Sequence, residues 1–170
     1  MKYILILSII LSCVNPNTTE DSSLSSETTT YYLIRHAEKD RSDKTNRNPE
    51  LTKAGHKRAK RWKKYFKNVS FDAVYSTDYN RTKQTAQPTA KNNNVDISIY
   101  DPRQLYADDF KKATQGKTVL VVGHSNTTPA FVNAILGEKK YDDMDDTDNS
   151  SLFIVTISDG KITDKVITVN

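Results

Sequence analysis

Tyr31-Tyr32-Leu33-Ile34-Arg35-His36-Ala37-Glu38 is an apolar, strand-like run that stops on an arginine and a histidine side by side. A second such event stands at Val119-Leu120-Val121-Val122-Gly123-His124-Ser125, where a continuous apolar stretch ends in Gly-His. Uninterrupted apolar strands are buried on both faces, the mark of a parallel sheet covered by helices. In such sheets, ligand sites are built at the carboxyl ends of the strands. Two histidines carried to that edge, one beside an arginine, point to an anion pocket with a histidine nucleophile.

The flanking sequence alternates between helix and strand signals. Residues 51–67 read as a helix with Thr52 as N-cap and Ala54, Ala59, Trp62 and Phe66 near one face. Residues 71–75 form a second strand. Residues 80–91 form a helix that Pro88 is expected to kink or shorten. A third strand over 95–100, a helix over 107–115, the central strand 117–123 and a helix over 127–136 closed by Gly137 follow. Residues 151–157 and 161–169 alternate around Ser158-Asp159-Gly160, a hairpin signal. There is no internal repeat. The expected fold is α/β: a three-layer α/β/α sandwich with a mostly parallel central sheet and a C-terminal β-hairpin, formed by residues 31–170 as one domain.

The first residues have a different character. Lys2 precedes an apolar run, 3–11, too short to span a bilayer as a mature helix. Leu11-Ser12-Cys13 resembles the lipobox of bacterial lipoproteins. That resemblance implies a signal peptide over 1–12, lipid attachment at Cys13 and a cell-envelope location, on the periplasmic or extracellular face of a bacterial membrane. Cys13 is the only cysteine, so no internal disulfide can form. Residues 13–30 are rich in Ser, Thr and Asn and lack the apolar content to fold, as expected of a tether.

The net charge is +4, but its distribution says more than its sum. Lys53, Lys57, Arg58, Lys60, Arg61, Lys63, Lys64 and Lys67 crowd one helix, whereas 138–148 is mostly acidic. No stacking aromatics or recognition motif accompany the basic helix. It reads as the solvated face of a surface helix rather than a nucleic-acid or membrane contact, and no nucleic-acid partner is expected.

The chemistry gathers at three strand-to-helix junctions. Arg35 and His36 end one strand, Arg81 follows another, and His124 ends the central one. Two guanidiniums suit a phosphate, since each offers a planar fork of donors. Cationic neighbours push an imidazole towards its neutral form, which a nucleophile requires. His36 could then attack phosphorus in line to give a phosphohistidine, with His124 and the arginines stabilising the equatorial oxygens. Ser125 and Asn126 stand next to His124 as further phosphate contacts. Protein cations do the neutralising, so neither metal nor cofactor is expected, and no histidine pair has metal-ligand spacing. His56 reads as a solvated surface residue. Each group has a plain alternative: a strand leaving the core, a surface arginine, a turn with a satisfied histidine. Their joint occurrence at three strand ends is what argues for a pocket.

These motifs resemble those of the histidine phosphatase superfamily, the phosphoglycerate-mutase-like fold, in its small branch without a lid. Leu33-Ile34-Arg35-His36-Ala37-Glu38 resembles the family's opening Arg-His motif, and Leu51-Thr52-Lys53-Ala54-Gly55 the Leu-Thr-x-x-Gly element. Residues 76–86 resemble the segment carrying the phosphate-binding arginine, and Gly123-His124-Ser125-Asn126-Thr127 the second-histidine motif. The resemblance implies His36 as phosphoacceptor with Arg35, Arg81 and His124 around the phosphate. Members commonly carry a proton-donating Glu after the third strand. Here that region reads Arg103-Gln104-Leu105-Tyr106-Ala107-Asp108-Asp109, so Asp108 is the candidate acid, with Asp109 next and Glu38 as a substitute. Both aspartates equally suit the start of a helix.

The function expected is a metal-independent phosphatase of the histidine acid phosphatase type. It would act as a monomer on a phosphorylated small molecule or phosphoprotein. The alternatives are a phosphomutase, which would need a covering lid that the short connections scarcely provide, and a non-catalytic lipoprotein that captures phosphorylated ligands.

Overall fold

The structure, a computed structural model, describes residues 27–170. The expected signal peptide, Cys13 and most of the tether lie outside the described residues. Strand β1 (Thr29–Arg35) begins two residues inside the segment expected to be tether. It is followed by α1 (Lys53–Tyr65), β2 (Ala73–Ser76), α2 (Asn80–Asn93), β3 (Ile97–Ile99), α3 (Asp108–Thr114), β4 (Thr118–Gly123), α4 (Thr127–Leu136), β5 (Ser151–Ser158) and β6 (Lys161–Thr168). The strands form one mixed sheet in the order β3-β2-β4-β1-β5-β6. The first four in this order run parallel, and the C-terminal hairpin continues the sheet antiparallel beside β1.

Alternation along the strands sorts the core into two layers. Tyr31 and Leu33 of β1 and Val119 and Val121 of β4 pack with Phe131, Val132 and Ile135 of α4. Ile34, Leu120 and Val122 point the other way and pack with Trp62, Phe66, Ala86 and Ala90 of the α1–α2 side. This is the expected three-layer arrangement.

Three local expectations are corrected. Gly55, not Ala54, takes the first buried position of α1, while Ala59, Trp62 and Phe66 are buried as expected. Helix α2 runs five residues beyond Pro88 to Asn93, because Thr85, Ala86, Thr89 and Ala90 bury it across the proline. It ends on Asn94, which takes the left-handed conformation at φ 54°. Strand β3 has only three residues, half exposed at the sheet edge. The hairpin turn is Asp159-Gly160, both at positive φ (53° and 71°), as a two-residue turn demands.

The Leu51-Thr52-x-x-Gly55 element has a packing reason. The Glu38 carbonyl accepts from the Thr52 amide at 2.9 Å and from its hydroxyl at 3.1 Å, while the Thr52 hydroxyl caps α1 by accepting from Gly55 N at 3.1 Å. A Cβ on Gly55 would sit 2.3 Å from that same carbonyl oxygen. The start of α1 is therefore pressed against the chain just beyond His36. Gly55→Ala gains about 1 kcal/mol of helix propensity, yet should lower unfolding free energy by about 1–3 kcal/mol net through overpacking. Urea unfolding at or above wild-type stability would contradict this contact.

Candidate active site

The parallel ladders bring the three junctions level. Arg35 stands opposite Gly123, and Ser76 opposite Val122. The His36 amide donates to the Gly123 carbonyl at 2.9 Å, one rung past the end of β1. Asn149 Nδ2 donates to the His36 carbonyl at 2.8 Å, and the Ala37 amide donates to Thr85 Oγ1 at 2.9 Å. Backbone from both sides of His36 is thus clamped by three other elements.

His36 is 3% exposed. Its Nδ1 lies 2.7 Å from the Ala37 carbonyl. A carbonyl only accepts, so Nδ1 carries the proton and Nε2 is left with its lone pair. The His124 ring stands 5.4 Å away, centroid to centroid, nearly edge-on. Arg81 Nη2 is 3.5 Å from His124 Nδ1, which makes Nδ1 the acceptor; Nε2–H then donates to Thr77 Oγ1 at 3.0 Å. The Thr77 hydroxyl in turn donates a hydrogen bond to Thr82 Oγ1 at 3.0 Å. The Arg81 guanidinium lies 4.3 Å over the Tyr79 ring, which in turn packs edge-on against His124.

Burial is the main cause that drives the His36 pKa down to about 3, with His124, Arg35 and Arg81 adding to it against the Ala37 hydrogen bond. His124 falls to about 4, again chiefly by burial, then through Arg81, Lys39 and Arg35. Both imidazoles are neutral at pH 7. The Nε atoms of Arg35 and Arg81 are buried without a hydrogen-bond partner. Such orphaned cationic donors are costly unless an anion meets them.

Arg35 is not bare. Its Nη1 donates to the carbonyls of Asp145 (2.9 Å) and Asp148 (3.1 Å), and its Nη2 to Asp146 Oδ1 at 2.6 Å. Arg41 binds the other oxygen of Asp146 at 2.7 Å. The acidic segment after α4, which the sequence left without a role, thus forms one wall of a cleft of about 290 Å³ lined by Arg35, His36, Lys39, Arg41, Asp146 and Thr147. Partial burial alone would raise the Asp146 carboxyl, but Arg41 and Arg35 hold it below the usual range. The segment is hooked to the second-histidine motif through the Met144 amide and Ser125 carbonyl, 2.8 Å apart. The larger hollow behind α4, about 880 Å³ and lined by residues such as Asn133, Glu138 and Asp142, contains no histidine or arginine.

The structure therefore joins Arg35, His36, Arg81 and His124. It does not deliver the proposed acids. Asp108 is exposed in the first turn of α3, 3.3 Å from Lys111, with no bond to the four site residues; Asp109 is exposed beside it. They occupy a helix start, where carboxylates suit the dipole. Glu38 borders the cleft, but Arg58 holds its Oε1 through Nε (2.8 Å) and Nη2 (2.7 Å). Burial pushes the Glu38 carboxyl up, yet Arg58 outweighs it and the net shift is downward, so Glu38 is ionised. Ser125 contributes its carbonyl to the wall, and Asn126 is exposed without capping α4. His56 is exposed on α1. Residues the sequence did not single out are Lys39, Thr77, Tyr79, Thr85, Asp146 and Asn149. Among the described residues no group of three or more His, Cys, Asp or Glu could hold a metal ion.

Residues 31–102, which include Arg35, His36 and Arg81, match the family model of the histidine phosphatase superfamily, branch 1. The resemblance read from the motifs is borne out. The solved structures that share the fold include the protein histidine phosphatase SixA complexed with tungstate (TM-score 0.64, 15% identity, 82% of this chain and 96% of that one). A phosphoserine phosphatase mutant from Entamoeba histolytica in complex with phosphoserine is also similar (0.62, 16%, 80% and 94%). So is a phosphoglycerate mutase from Bacillus anthracis (0.61, 16%, 85% and 93%). No curated protein matches the chain.

Because the folded-state pKa values of His36 and His124 lie near 3 and 4, their ring-proton resonances should stay flat from pH 8 down to about 5. A midpoint near 6.5 for either would refute the buried neutral pair. In the unfolded chain both histidines take up protons below about pH 6.5, while the folded ones do not. Thermal stability should therefore fall as pH drops from about 6.5 towards 4.

Proposed function

We propose that the protein is a metal-independent phosphatase that hydrolyses phosphorylated small molecules or phosphoprotein through a phosphohistidine on His36. The observation that carries this reading is the lone pair on His36 Nε2, on a ring beside His124 and within the field of Arg35 and Arg81, whose Nε donors are unmet. A phosphate dianion would displace Asp146 from Arg35 and take donors from Arg35 and Arg81. Nε2 of His36 would attack phosphorus as the bond to the leaving group breaks. The Nδ1–H bond to the Ala37 carbonyl would stabilise the positive ring that results. Water then attacks the phosphohistidine, releasing phosphate and restoring His36.

Glu38 is ionised against Arg58, Asp108 is turned to Lys111 and Asp146 is held by Arg35 and Arg41, so among the described residues none of these three carboxyls is poised to protonate a poor leaving group. Substrates whose leaving group departs readily are favoured, phosphoramidates such as phosphohistidine among them. The similarity to SixA, described as a protein histidine phosphatase, supports the same class. The Leu11-Ser12-Cys13 pattern supports attachment at a membrane through Cys13, outside the described residues.

Hydrolysis of p-nitrophenyl phosphate should survive EDTA, disappear in His36→Ala, and fall about 10²–10³-fold in kcat/KM for Arg81→Ala with the fold intact. Brief exposure to substrate followed by acid-labile label mapping should place the phosphoryl group on His36. Label elsewhere, or phosphate binding with no turnover across phosphomonoesters and phosphoramidates, would discard the reading. Transfer to a second acceptor in preference to water would mark a mutase. Asp146→Ala should lower KM several-fold by freeing Arg35, with kcat little changed. A large loss of kcat instead would make Asp146 part of the chemistry.

A further inference from the structure

The strongest unassigned feature is the basic face of α1 and α2, which the sequence alone left as a solvated surface. Lys60, Lys63, Lys64 and Lys67 come from α1 and the short 3₁₀ turn after it (Phe66–Asn68), and Lys91 from α2. Together they rim a groove of about 950 Å³ whose lining includes Pro88 and no acidic residue. All five lysines are exposed, and among the described residues none makes an ion pair. A solvated helix face ordinarily mixes signs; five unpaired ammonium groups around an apolar floor do not.

The position of the groove says what it fits. Helices α1 and α2 each return from a strand end that carries the site, so their last turns lie at the opposite end of the sheet. The contacts there agree: Asn93 Oδ1 accepts from Phe71 N at 2.9 Å just ahead of β2, Asp72 N donates to Thr118 O, and Thr30 N donates to Lys117 O, both at 2.9 Å. Thr29, where the preceding chain joins the domain, belongs to this same end, bonded through its hydroxyl to Gly116 N at 2.8 Å. A seven-residue β1 separates it from Arg35 by about 20 Å. The acidic wall beside Arg35 stands at the far end. The end where the N-terminal chain arrives therefore carries a groove rimmed by cations alone, whereas the cleft at the other end mixes Arg35, Lys39 and Arg41 with Glu38 and Asp146.

We propose that the α1–α2 groove docks on an anionic bilayer surface, holding the domain with its cleft turned away from the lipid. Lysines suit this role because their stems lie along the apolar floor while the ammonium groups reach the headgroups. Each contributes attraction that falls off within a Debye length. Nucleic acid is the less favoured polyanion, since no exposed aromatic lines the groove for stacking. The docking is independent of the phosphatase reading, and its test does not use turnover as the primary readout.

The full chain would be partitioned onto vesicles of phosphatidylcholine with and without phosphatidylglycerol. The comparison protein carries Lys60→Gln, Lys63→Gln, Lys64→Gln, Lys67→Gln and Lys91→Gln together, with the two-site variant Lys63→Gln, Lys67→Gln as a milder substitute. Phosphatidylglycerol should raise partitioning of the wild type at least about tenfold at low salt. That increment should vanish near 0.5 M salt and in the five-site variant, and be reduced in the two-site variant, with melting temperature and p-nitrophenyl phosphate hydrolysis unchanged. A control with Lys111→Gln, Lys112→Gln and Lys139→Gln should keep it. Equal partitioning on the two vesicle types, an increment that survives the five-site and two-site variants, an equal loss in the control, or preferential capture by duplex DNA over vesicles of equal charge would each overturn the proposal.

Discussion

A single rung of backbone hydrogen bonding, His36 N–H to Gly123 O at 2.9 Å, fixes the rest of the site. It sits at the end of the β1–β4 ladder and sets both histidines at one height on one edge. The rung tolerates no slip, because a shift of one residue would turn every core side chain of β1 to the wrong layer. Gly123 adds a second constraint. A Cβ there would lie 2.8 Å from Thr128 Oγ1 and 3.0 Å from both Thr127 Oγ1 and the Tyr100 hydroxyl, so the first turn of α4 can close over the strand only with glycine beneath it. The same closure lets Thr127 Oγ1 accept from the His124 amide at 2.9 Å.

Around that rung the molecule balances two opposed demands. A nucleophilic imidazole must be kept neutral, which burial and nearby guanidiniums achieve together. Buried guanidiniums, however, need anions. Asp146 answers for Arg35 with one carboxylate oxygen, aided by two backbone carbonyls, while its other oxygen is shared with Arg41. Its side chain is 64% exposed, so under the proposed function it would leave towards solvent as a phosphate takes its place. Arg81 has no such carboxylate and leans on the Tyr79 ring instead. The two arginines are thus held by different partners.

The strand ends were legible because their signal is local: continuous apolar residues, then Arg-His or Gly-His. The layer order and hairpin followed from the alternation of periods. What the sequence hid depends on chain path. Asp146 lies 111 residues from Arg35, Asn149 113 from His36, and Thr77 47 from His124. Nothing in an Asp-rich loop says which distant cation it meets, and the turns in which Asp145 and Asp148 accept from the amides of Thr147 and Ser150 are seen only in the structure. The misplaced acids have the same origin. Asp108 and Glu38 sit where motif spacing allows a donor, and only the positions of Lys111 and Arg58 reveal that each is engaged elsewhere. Gly55 takes the buried position expected of Ala54, and a glycine has no side chain to mark it in an apolar stripe.

The proposed nucleophile is a nitrogen, which carries one further consequence. Thiolate enzymes lose activity as sulfur climbs through sulfenic and sulfinic acids; an imidazole has no such ladder. Cys13 is the chain's sole cysteine, so the domain from Thr29 onward has no thiol at all. Its one sulfur belongs to Met144, partly buried against the core cluster of Tyr31, Phe131 and Phe153. Peroxide therefore finds no thiolate to oxidise at the proposed nucleophile, and oxidative damage to the domain's sulfur has one place to begin.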